Sequence, residues 1–272
     1  VMTLRFIVAP ERERARRGPV LRISARAALG YLGFLPPRLR RAFESGGHFK
    51  PLPPPLPGEW LAEHPEKGQS FRAFVKGAYN QPTAHRRLFR VQPIGDFPAD
   101  RSPDLSLLRA YAAAYFQLPV VVEPHLDPDR LEVTRRQNPH TRNLQLLTPD
   151  LLKMLQRRVD ESTYAAIGVT MIDLYPSATW NFVFGQASFR KRVGIFSFAR
   201  YDPAFYGQKR HDGWKQLLLR RSMKVLVHEA GHMFGMHHCV HYRCAMNGSN
   251  HLNESDKAPV HLCPICLRKL HH

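Results

Sequence analysis

Three histidines in the stretch VLVHEAGHMFGMHHC (225–239) sit at a spacing that suits one metal ion. His228 and His232 are four residues apart, so on a helix their imidazoles lie one above the other and reach the same point. Glu229 directly follows the first of them, and its carboxylate is aimed to meet a water on such an ion rather than the ion itself. Gly235 falls where the helix has to stop, because glycine accepts the left-handed conformation that ends helices. The turn it permits brings His238 back as a third ligand. Three protein ligands leave one tetrahedral position for water, which is the arrangement of a catalytic zinc rather than a structural one. The bland alternative is a core helix with incidental histidines. The chain has 15 histidines, but a chance match to five fixed positions is still rare.

The four cysteines all fall in the last 34 residues of the 272, as Cys239, Cys244 and the pair Cys263-Pro-Ile-Cys266. A CxxC with a second, distant cysteine pair reads as a four-thiolate zinc site. Two disulfides or free thiols compete with that reading. The adjacency of Cys239 to His238 favours the metal, since a second zinc there braces the loop that delivers the third histidine. His237, His241, His251 and His261 crowd the same region and are read as non-ligands. His271-His272 is read simply as the chain end.

These residues need a helix to carry them and a sheet to hold it. Leu219, Met223, Leu226, Ala230 and Met233 recur at three and four residues, which predicts a long helix over 214–234 with one face in a core. The near-continuous apolar run 165–175 predicts a central strand. Further strands are expected at 88–93, 118–122, 144–147, 180–187 and 193–201. Helices are expected at 59–78, at 102–116 with Pro103 in its first turn, and from Thr148 as N-cap to about 159. Asp173 and Tyr175 close the central strand and are read as structural. Arg190, Lys191 and Arg192 are read as a solvated turn. Strands alternating with helices, without an internal repeat, imply an α+β fold with a mixed sheet.

The formal charge is +18. Residues 1–50 carry eleven Lys or Arg against three Asp or Glu, and five prolines follow between Pro51 and Pro57. Residues 1–57 are therefore expected to form a basic, Pro-rich, flexible arm, and 58–272 the folded domain. The arm admits contact with nucleic acid, yet no RNP or helix-turn-helix motif accompanies it. No apolar run approaches the roughly 20 residues that span a bilayer, so no membrane insertion is expected. Four thiols on one metal site point to a reducing, intracellular setting, cytoplasmic or nuclear, with mitochondrial targeting less favoured.

The pattern HExxHxxGxxHC, then four residues, C-x-M and a later CxxC resembles the archaemetzincins, within the metzincin clan. His228, Glu229, His232, Gly235, His238, Cys239, Cys244, Met246, Cys263 and Cys266 all match it. The stretches VTMIDLYP (169–176), WNFVFGQAS (180–188) and VGIFSFARY (193–201) look like the vertebrate branch of that family. The resemblance covers about residues 58–270. It implies a two-lobed zinc metallopeptidase acting on peptide or protein substrates. An upper lobe to about residue 235 would carry a twisted mixed sheet, a backing helix and the active-site helix. A small lower lobe, 236–270, would hold His238, a Met246 turn as the floor beneath the metal, and the structural zinc. It also implies two zinc ions per chain, one catalytic and one structural, and strand addition of substrate to an edge strand, for which 193–198 is the candidate. A monomer is expected. The competing class is a non-catalytic zinc protein that binds nucleic acid or an acidic partner through its basic surface; the intact Glu229 favours the enzyme.

Overall fold

Thr163–Thr170 is buried at every position, as a strand covered on both faces must be. It lies inside a six-stranded sheet made of β1 (Thr3–Arg5), β2 (Leu88–Ile94), β3 (Val120–Val122), β6 (Thr163–Thr170), β8 (Gly185–Ser188) and β9 (Val193–Ser197). The spatial order is β1-β8-β9-β6-β2-β3. β3, β2, β6 and β9 run parallel, β8 is antiparallel to β9, and β1 is antiparallel to β8. A second sheet joins β4 (Arg135–Gln137), β5 (Leu144–Leu147) and β7 (Asp173–Tyr175). The computed structural model describes residues 3–5, 20–77, 80–188 and 190–272. No helix among them is long and apolar enough to cross a membrane.

The chain divides into two compact units, residues 3–5 with 80–233 and residues 20–77 with 234–272. In the first, alternating side chains give the sheet two apolar faces. Leu151 and Leu155 of α6 (Thr148–Gln156) pack with Ile94, Ala166, Val193 and Ile195 on one face. The other face carries α5 (Leu105–Phe116) and α7 (Trp214–Met233), which touch each other. Met233 Cε comes within 3.6 Å of where a Cβ on Gly194 would lie, so the end of α7 is seated directly on β9.

Several boundaries differ from expectation for local reasons. The run 165–175 is two strands, because the chain bends at Met171-Ile172 and passes from the large sheet to the small one. α5 starts at Leu105, not at Ser102, since Asp104 caps it by accepting from the Ser106 and Leu107 amides. Thr148 lies inside α6; its hydroxyl bonds Gln186 and the Tyr175 carbonyl instead of capping. The strand expected at 180–187 shortens to Gly185–Ser188, and the one expected at 193–201 ends at Ser197, followed by a 3-10 turn at Ala199–Tyr201. The segment 193–198 is no edge: β9 is hydrogen-bonded to β6 on one side and β8 on the other, so no ladder groups remain there for an added strand.

The helix expected over 59–78 is two short ones, α3 (Trp60–Glu63) and α4 (Phe71–Gly77). His64 precedes Pro65, a position disfavoured in the α region, and Gly68 takes φ +81°. The intervening loop is thereby extended.

The expected flexible arm does not describe residues 20–57. α1 (Ala25–Leu29), capped by Ser24, packs on α4 and on α9 (Pro264–His271), and α2 (Pro37–Ala42) leads to the buried Phe43. The Leu52 amide donates to the His241 carbonyl at 2.9 Å and the Arg243 amide to the Lys50 carbonyl at 2.9 Å. The physical reason is size. Residues 234–272 alone stand at the roughly 40-residue limit below which a chain cannot bury its own core. Phe43, Trp60 and Phe74 are buried in the same unit as Val240, Leu262 and Ile265, and the Phe43 and Phe74 rings meet His271 and His272 of the C-terminal segment. Residues 1–2 and 6–19 of that arm lie outside the described residues. α8 (Leu252–Lys257) and α9 carry no long amphipathic run and were not expected.

Candidate metal centres

The last two turns of α7 carry His228 and His232, both buried, with their Nε2 atoms 2.9 Å apart and their rings at 90°. Two imidazole nitrogens aimed at one point need a proton or cation between them. Glu229 is 1% exposed, and neither of its carboxylate oxygens has a hydrogen-bond partner. Burial pushes its carboxyl up to about 8. It faces β8: a Cβ on Gly185 would lie 3.0 Å from Glu229 Oε1, so glycine is the residue that leaves room for this carboxylate. The helix stops at Met233, whose carbonyl accepts from Asn80 Nδ2 at 3.4 Å and from the Tyr164 hydroxyl at 3.5 Å. Gly235 then takes φ +85°, the conformation expected of it.

His238 is 3% exposed. Its Nδ1 lies 2.8 Å from Glu66 Oε1, and the same oxygen accepts from Trp60 Nε1 at 2.6 Å. The Trp60 ring meets the His238 ring edge-on at 5.1 Å. Gln69 Nε2 donates to the Gly235 carbonyl at 2.9 Å, and Gln69 Oε1 accepts from the His237 amide at 3.2 Å. Lys269 Nζ donates to the Gln69 carbonyl at 2.9 Å and to Gln69 Oε1 at 3.2 Å. Glu66, Gln69 and Lys269 were missed in the sequence. They obey no spacing rule, and only the broken helix at His64-Pro65 hints that this segment serves as a loop.

The four sulfurs of Cys239, Cys244, Cys263 and Cys266 lie within 4.8 Å of one another. All four cysteines are buried and none forms a disulfide, so the disulfide alternative is excluded among the described residues. Sγ of Cys239 and Cys263 are 3.6 Å apart. Cys244 Sγ accepts from the Cys263 amide at 3.2 Å and from the Met246 amide at 3.5 Å, as metal thiolates do. Crowding splits their acidity. Hydrogen bonds from Cys244, Cys263 and Cys266 hold the Cys239 thiol well below its ordinary range. Burial first, then Cys239, pushes Cys244 well above it, and bonding to Cys239 does the same to Cys266. More than one thiolate in this cluster therefore calls for a cation.

Met246 is fully buried, and its carbonyl accepts from the Cys239 amide at 2.8 Å. His237, His241, His251 and His261 join neither group among the described residues. His251 instead caps α8, accepting from the Glu254 amide at 3.1 Å. Asp173 is structural: it accepts two hydrogen bonds from the buried Arg200, at 2.8 and 2.7 Å. Arg190, Lys191 and Arg192 form a turn before β9.

With that geometry in place, similarity to known proteins identifies the chemistry. The model of peptidase family M54 matches residues 135–272. Archaemetzincin-2 of Macaca fascicularis is 41% identical over 252 residues, which is 82% of this chain and 69% of that protein. The crystal structure of archaemetzincin from Archaeoglobus fulgidus superposes with a TM-score of 0.51 at 27% identity, over 67% of this chain and 99% of that one. The archaemetzincin of Methanopyrus kandleri gives 0.52 at 27% identity, over 70% and 96%. This chain belongs to peptidase family M54, the archaemetzincins, and is a zinc metallopeptidase.

Proposed function

We propose that His228, His232 and His238 hold the catalytic zinc, that Cys239, Cys244, Cys263 and Cys266 hold a second, structural zinc, and that Glu229 is the general base of peptide hydrolysis. The donor sets fit: two convergent buried imidazoles on α7, a third buried imidazole six residues on, and four buried sulfurs in one group. The observation that carries the catalytic role is Glu229 itself. A carboxylate buried beside two convergent imidazoles, with neither oxygen bonded by the protein, is costly unless it serves something absent from the chain.

Zinc at such a site supplies a Lewis acid that acidifies a water and polarises the scissile carbonyl. Glu229 accepts the proton of the attacking water and returns it to the leaving amine nitrogen as the C–N bond breaks. Burial and a neighbouring positive charge act oppositely on its carboxyl. Burial raises its carboxyl, and a cation held beside it would lower it again, which keeps the group available as a base. Met246, buried and tied to Cys239, is assigned to the floor beneath the histidines. The substrate is a peptide or protein, and four thiols committed to one metal favour a reducing compartment inside the cell, cytoplasmic or nuclear.

The test is a peptide-library digest read by mass spectrometry, with metal analysis of the same samples. Glu229→Ala should keep both zincs, because Glu229 is not a ligand, and should lose at least about 100-fold in cleavage rate. Cleavage at the wild-type rate by Glu229→Ala refutes its role. One zinc per chain in the wild type refutes the two-site assignment.

A further inference from the structure

We propose that Glu66 is the positioning residue of His238, fixing which of its ring nitrogens faces the metal. This deepens the assignment of His228, His232 and His238 as zinc ligands and rests on it. Glu66 lies 172 residues before His238 in sequence, and its Oε1 is 2.8 Å from His238 Nδ1. An ionised carboxylate only accepts, so Nδ1 carries the hydrogen and donates it. The lone pair is then on Nε2, the tautomer required of a ligand that binds through that atom. A carboxylate behind a ligating histidine also makes the imidazole a stronger donor.

Glu66 is itself held in place. Trp60 Nε1 donates to the same oxygen at 2.6 Å, and the Trp60 amide donates to Glu254 Oε1 at 2.9 Å. Glu254 Oε2 accepts from the Asn250 amide at 2.7 Å. Gly248 leaves space for the Trp60 indole: a Cβ there would lie 2.4 Å from Trp60 Cδ1. The Trp60 ring edge against His238 limits rotation of the imidazole while the carboxylate sets its tautomer. The alternative is a surface ion pair that happens to include a histidine. Burial argues against it, with the His238 side chain 2% and the Glu66 side chain 23% exposed. So does the second donor, Trp60, which a casual surface pair has no reason to recruit.

The experiment compares wild type, Glu66→Gln, Glu66→Leu and His238→Ala by zinc content, by zinc retention against a competing chelator, and by the visible spectrum after cobalt(II) replaces zinc. His238→Ala should bind one zinc where the wild type binds two. If it keeps two, the ligand assignment fails, whatever Glu66 does. Glu66→Leu should retain the four-cysteine zinc but release the other about 10–100-fold more readily, with a changed cobalt spectrum. Glu66→Gln keeps an acceptor oxygen without the charge, and should fall between wild type and Glu66→Leu. It carries the test even where Glu66→Leu fails to fold. Loss of one zinc by His238→Ala, combined with wild-type retention and a wild-type cobalt spectrum in Glu66→Gln, overturns the positioning role.

Discussion

Replacing Gly185 by alanine tests the catalytic geometry without substituting a ligand or the proposed base. The added Cβ would lie 2.9 Å from Phe196 Cβ, 3.0 Å from the Ile195 carbonyl oxygen and 3.0 Å from Glu229 Oε1. Each gap must open by roughly 0.4 Å to reach ordinary contact. Ile195 and Phe196 belong to β9, whose ladder pairs Gly185 with Phe196, so the backbone side yields little. The Glu229 carboxylate, unbonded, yields instead. Misplacing a catalytic group by 1 Å costs about 100-fold, so a 0.4 Å shift lowers kcat/KM by roughly 5- to 10-fold. Overpacking of the strand costs about 1–3 kcal/mol of stability. Gly194→Ala is the control. It lies in the same sheet, but its Cβ would meet neighbours only at 3.5–3.6 Å, so kcat/KM should stay within about twofold of wild type. The assay is steady-state peptide hydrolysis below both melting temperatures, with zinc measured on the same preparations. If Gly185→Ala melts earlier yet hydrolyses at the wild-type rate, Glu229 has not moved or does not act as the base. If it loses zinc, the damage does not run through Glu229. Either result refutes the reasoning.

Two further outcomes are expected. Replacing Cys263 and Cys266 together by serine should remove one of two zincs and, with it, the cooperative melting of the unit built from residues 20–77 and 234–272; two zincs in the double variant would show that the sulfurs are not the second site. Phe43→Ala, in the segment expected from sequence to be flexible, should destabilise that same unit by about 3–5 kcal/mol in denaturant unfolding, because Phe43 is only 2% exposed. An unchanged midpoint would return residues 20–57 to the status of an arm.

The residues proposed to carry the chemistry could be picked out in the sequence because helical periodicity and ligand spacing are local. His228, Glu229 and His232 share one helix, Gly235 ends it, His238 follows within six residues, and the four cysteines carry a metal spacing of their own. The central strand and the long helix were legible for a related reason: a run of apolar residues, or one repeating at three and four, has few ways to be buried. What surrounds those residues was decided only by the tertiary structure. Gly185 makes room for Glu229 through strand pairing, and Glu66 and Gln69 reach the His238 loop from 166 or more residues away. The basic, Pro-rich segment was misjudged because composition records solvation and stiffness but not the need of a short C-terminal segment for a core. Phe43, Trp60 and Phe74 answer that need, and a partnership between distant segments leaves no period or spacing in the sequence that either half could reveal.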